Sequence, residues 1–123
     1  MNDALTFLHG FGARVLLVYA LVLGVWGTYH YFRNQRLSGG FRSGYLIMGG
    51  LTPLQGLIGI AAVIAGGTPR EGLLHMVYGV FAVIFVPGAY LYSRGGTDRR
   101  ETLVLAAASW ILAIAYFRGI ATG

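Results

Sequence analysis

Four long apolar runs take up nearly the whole of this 123-residue chain, at roughly 4–32, 43–65, 69–92 and 101–120. The hydrocarbon core of a bilayer takes about 20 helical residues to cross, so each run is long enough to span it. A chain this short could not cover four such surfaces in water. The expected fold is all-α: an integral membrane four-helix bundle, one transmembrane domain with no room for a soluble one.

Composition agrees, with 56% hydrophobic and 11% charged residues, against about 25% charged in average soluble domains. The 20 glycines suit membrane helices that pack closely on small residues. The absence of cysteine excludes disulfides, covalent c-type haem, iron–sulfur ligation and thiol catalysis. The net charge of +5 is carried entirely by arginine. Those arginines sit at helix ends, which reads as topology and not as nucleic-acid binding. Met1-Asn2-Asp3 lacks a basic n-region, and the run behind it is longer than a signal h-region. The start is therefore expected to be kept as part of the first helix.

Arg33, Arg36 and Arg42 fall in the first expected connection, and Arg94, Arg99 and Arg100 in the third, partly offset by Asp98 and Glu101. The second connection offers only Arg70, and Arg118 lies near the C-terminus. By the positive-inside rule the first and third loops face the cytoplasm and both termini lie outside. Trp26, Tyr29, Tyr31, Phe32, Tyr90 and Tyr92 precede those loops as an interfacial belt does. Arg14 stands against this pattern inside the first run, where it can snorkel outward or meet a headgroup. Thr68-Pro69-Arg70-Glu71 reads as a helix start with a capping box. Asp98 or Thr97 can cap the fourth helix, and Asn2 or Asp3 the first. Pro53 and Pro87 fall inside runs and should kink their helices.

Gly27-Thr28-Tyr29-His30-Tyr31-Phe32-Arg33 and Gly88-Ala89-Tyr90-Leu91-Tyr92-Ser93-Arg94 share the pattern Gly-x-Tyr-x-Tyr-x-Arg, and Leu8-His9 matches Leu74-His75. Two helical hairpins in parallel repeat would explain this. Interfacial selection of aromatics and arginine would explain it equally.

His9 and His75 are the candidate ligands. Counted from Asp3 and Thr68 they lie at similar depth, roughly 10 Å inside the outer helix ends at 1.5 Å per residue. At one level on parallel helices they could ligate a b-type haem from opposite faces, with Arg14 toward a propionate or a lipid headgroup. Counted from the inner motifs their positions disagree by five residues, about 7.5 Å of rise. The bland reading is that each histidine bonds a carbonyl or a headgroup. Gln55, beside Thr52 and Pro53, should face protein, as a helix-to-helix contact or against a quinone head. Gly49, Gly50, Gly56 and Gly59 would let a helix or a cofactor tail come close, and Ala106 to Ser109 give the fourth helix a similarly small surface. No carboxylate falls in mid-membrane, so an ion-coupled pump is not expected. No metal-spaced cluster or nucleophile–base set is present, which argues against an enzyme acting by itself.

The Leu8-His9 start, the Gly-x-Tyr-x-Tyr-x-Arg endings, the Leu51-Thr52-Pro53-Leu54-Gln55-Gly56 stretch and the Arg118-to-Gly123 tail resemble small four-helix membrane proteins of green non-sulfur bacteria. Their motifs are diagnostic of no activity, and no site residue carries over. Such lineages hold a quinol-oxidising assembly, alternative complex III, with small membrane subunits. The resemblance implies a place as one of these. A lesser likeness is to haem A synthase, a duplicated four-helix unit with histidine ligands; this chain has one unit and lacks a second histidine per repeat at matching helix ends. The expected function is an accessory membrane subunit of an electron-transfer complex, packing helices and lipid against its neighbours. The rival expectation is a haem- or quinone-binding membrane protein using His9 and His75.

Overall fold

A computed structural model of the chain describes residues 2–33, 38–66, 72–93 and 99–122. They form four α-helices: α1 (Asn2–Phe32), α2 (Gly39–Ile64), α3 (Gly72–Ser93) and α4 (Arg99–Thr122). Each is long and apolar enough to cross a membrane, with a stretch of mean hydropathy 1.8. By length and composition this is a multi-pass membrane protein. The outward faces are largely apolar, with Phe11, Leu57, Ile84 and Ile114 exposed. So extensive an exposed apolar surface marks contact with lipid or another apolar partner.

The helices form a ring. α1 packs on α2 and α4, and α3 packs on the same two, so α1 and α3 are diagonal to each other. The α1–α4 seam is the most extensive and the α2–α3 seam the thinnest. α1 and α4 are antiparallel, since Trp110 donates to Thr28 Oγ1 at 2.9 Å while Arg99 Nε, at the start of α4, donates to Tyr31 O at 2.9 Å. Two tyrosines tie the other seams through backbone carbonyls: Tyr19 donates to Gly44 O at 2.6 Å and Tyr45 to Val86 O at 2.7 Å. With no hydrophobic force between helices in lipid, such close packing and cross-helix bonds hold the bundle.

The core fills one half of the ring, the half nearer the first and third connections. Leu16, Ala20 and Leu23 of α1 meet Phe41, Tyr45 and Met48 of α2, Val86 of α3, and Leu105 and Leu112 of α4. Ala106, Ala108 and Ser109 are buried in the expected small surface of α4, while Ala107 faces outward.

Several boundaries differ from the sequence reading. α2 begins at Gly39 and not near Ser43, because Ser38 caps it by accepting from Phe41 N at 3.0 Å. Arg42 therefore lies in the first turns of α2, and Arg99 and Arg100 open α4; none of the three is in a connection. All still lie at the same end of the bundle as Arg33. Helices α2 and α3 continue through Pro53 and Pro87. Arg36, Arg94, and the caps read at Thr68–Glu71 and at Thr97 or Asp98 lie outside the described residues, as do the side chains of Asn2 and Asp3.

Candidate intramembrane cofactor site

α1 and α3 each carry a histidine in the half of the bundle that holds both chain ends, where packing is loosest. Their imidazoles meet across the diagonal, His9 Nε2 lying 3.4 Å from His75 Nε2. The ring centres are 5.7 Å apart. That exceeds the nitrogen separation by about the two ring radii, so the nitrogens lie nearly on the line joining the rings and point at one another. The equal depth read by counting from the caps is what the fold displays. The conflicting count from the inner motifs disappears because α1 extends further past its histidine than α3 does.

Each imidazole is held from behind. His75 Nδ1 donates to Gly119 O of α4 at 2.9 Å. His9 Nδ1 stands 3.0 Å from Gln55 Nε2 and 3.3 Å from Gln55 O of α2. The same amide nitrogen donates to His9 O, an atom that only accepts, and this fixes which end of the amide meets the His9 carbonyl. Gln55 is thus a helix-to-helix contact, buried and engaged with α1 through both main chain and side chain. Two glycines make the space: a Cβ at Gly59 would lie 2.6 Å from His9 Cε1, and one at Gly12 would collide with Gln55 Oε1.

A cavity of about 230 Å³ opens beside this cluster, lined by all four helices. Small residues, Gly10, Gly56, Gly79, Ala82, Ala115 and Gly119, leave it empty of side chains. Thr52 and Tyr116 meet through their hydroxyls on its wall, with Thr52 also donating to Met48 O at 2.8 Å. Arg14 lies at the rim, exposed, its Nη1 donating to Gly10 O at 3.2 Å. Arg118 Nε donates to Tyr78 OH at 3.3 Å, and Tyr78 lines the cavity.

Of the residues singled out in the sequence, His9, His75, Gln55 and Arg14 gather around one space. His30 does not: it accepts from Trp26 Nε1 at the other end of the bundle. A Cβ added at Gly50 of the glycine set would meet nothing within 4 Å. Tyr78, Tyr116 and Gly12 were missed as site residues. The available signal was that polar tyrosines at bilayer depth need partners. No protein family, curated protein or solved structure matches the chain, so the site is read from its own chemistry.

Proposed function

We propose that this chain is a small electron-transfer subunit of a bacterial cytoplasmic-membrane complex, holding one b-type haem between His9 and His75. The observation that carries the reading is the head-on pair of Nε2 atoms presented by diagonal helices, 3.4 Å apart. A metal–imidazole bond is about 2 Å, so a metal held between the two asks for roughly 4 Å, a retreat of about 0.3 Å by each ring. Two imidazoles are too few for a protein-built zinc centre, which takes three or four ligands. Among the described residues no group of three or more His, Cys, Asp or Glu side chains could supply such a cage. A porphyrin supplies its own four nitrogens and asks the protein only for axial ligands.

Arg14 at the rim suits an anionic propionate, and the small cavity-lining residues suit a flat ring. The present volume admits part of a haem, and the thin α2–α3 seam is where the bundle would widen. A quinone head is smaller, but the Gln55 amide expected to bind it is already engaged with His9. Among the described residues no carboxylate lines the cavity, and the bound group is read as passing electrons. This supports reading the chain as an accessory member of a larger assembly.

The test is purification of the full chain in mild detergent from a haem-supplied host. The expected result is one haem per chain with a low-spin, six-coordinate visible spectrum, lost in both His9→Ala and His75→Ala. A wild-type chain that stays colourless with added haemin overturns the reading, and co-purifying quinone would replace it.

A further inference from the structure

Gln55 offers His9 Nδ1 two opposite partners at nearly equal range. Its side-chain amide, at 3.0 Å, can only donate through Nε2, and its main-chain carbonyl, at 3.3 Å, can only accept. A neutral imidazole carries one proton, so the partner in use decides which nitrogen bears it. While the amide donates, Nδ1 is the acceptor and the proton resides on His9 Nε2. That N–H then points at His75 Nε2, which is a bare acceptor because His75 Nδ1 donates to Gly119 O. The result is a complete chain of donors and acceptors, Gln55 to His9 to His75 to Gly119, crossing the bundle from α2 to α4. In this form His9 cannot ligate a metal through Nε2, since ligation takes the deprotonated nitrogen.

From this we propose that Gln55 is a positioning residue that sets the tautomer of His9, and so switches the histidine pair between a closed hydrogen-bonded state and a ligating one. Withdrawal of the amide leaves the Gln55 carbonyl as the partner of Nδ1. The proton then sits on Nδ1, and both Nε2 lone pairs face the space between the rings. Two lone pairs pointed at each other repel, so where the amide competes for Nδ1, as in the wild type, the open state is held only by a cationic centre between the rings. Nδ1–H donation to a backbone carbonyl is also the usual outer-shell support of a metal-bound imidazole. The role in ligation rests on the haem reading; the tautomer does not.

The test uses Gln55→Met, which keeps side-chain length and removes the donor, with Gln55→Leu as a second variant should the first fail to fold. Nitrogen-15 spectra of histidine-labelled, haem-free protein in detergent report the tautomer directly. Wild type is expected to show His9 with its proton on Nε2 and the variant with its proton on Nδ1. The same tautomer in both overturns the proposal, whether or not the chain binds haem. Haemin titration gives a second readout. With no amide to displace, the variant should bind about tenfold more tightly, the lower end of outer-shell effects on metal affinity. A residue that merely packed α2 on α1 would, when replaced, weaken binding instead. Failure of wild type to bind haemin sinks the functional reading alone, because the spectra still decide the role of Gln55.

Discussion

The imidazole of His9 occupies the space that a side chain at position 59 would fill, with a Cβ there only 2.6 Å from Cε1 and 3.0 Å from Nδ1. Gly59→Ala must push the ring off its line with His75, because its other side is held by Gln55. Overpacking of this kind costs about 1–3 kcal/mol, so haemin affinity should fall at least about fivefold. Gly50→Ala, where a Cβ meets nothing within 4 Å, is the control and should leave haemin binding unchanged and the melting temperature unchanged or slightly raised. Equal affinity in Gly59→Ala and wild type would mean that the His9 ring does not sit over α2. Part of this site was legible beforehand. The depth of the two histidines follows from counting along helices of known rise, and a glutamine in the bilayer has to face protein. Which residue Gln55 would meet was not legible, because that depends on helix rotation. These helices are apolar nearly all round, so no amphipathic stripe says which face turns inward.

The shared Gly-x-Tyr-x-Tyr-x-Arg endings of α1 and α3 can be compared as elements, since both helices flank α4. Their second tyrosines have one job: Arg99 stacks over Tyr31 at 3.8 Å and Arg100 over Tyr92 at 5.0 Å, so the first turn of α4 is held from both sides. The glycines have different jobs. A Cβ on Gly27 would lie 2.7 Å from Ala106 Cβ and 2.9 Å from the Phe41 ring, whereas one on Gly88 meets nothing within 4 Å. Gly27→Ala should therefore destabilise the bundle by about 1–3 kcal/mol through overpacking of the α1–α4 seam. Gly88→Ala should be neutral or stabilising by up to about 1 kcal/mol, the helix propensity difference. Thermal unfolding in detergent separates them, and equal shifts in the two variants would show that the repeat has matched environments after all. The four spans themselves were plain from the apolar runs. The start of α2 was not, because the cap at Ser38 precedes two glycines and gives no apolar signal of its own.

At the scale of the whole molecule, packing and charge divide the bundle into two unlike ends. Arg33, Arg42, Arg99 and Arg100 cluster beyond the tightly packed half, while the histidine pair and its cavity lie in the half that holds both chain ends. Basic residues flanking short connections stay on the cytoplasmic side, which would put the cavity in the outer half of the membrane. On the proposed haem reading, electrons would then be exchanged with a partner on the outer side more readily than across the full bilayer. The orientation is open to direct measurement because the chain has no cysteine of its own. Gly39→Cys adds a thiol at the start of α2, where a Cβ meets nothing within 4 Å, and Ala65→Cys adds one just past its far end. In intact cells a membrane-impermeant maleimide should label position 65 and leave position 39 untouched until the membrane is permeabilised. Labelling of position 39 alone in intact cells would invert the topology, placing the histidine pair near the cytoplasm and its redox partner on that side.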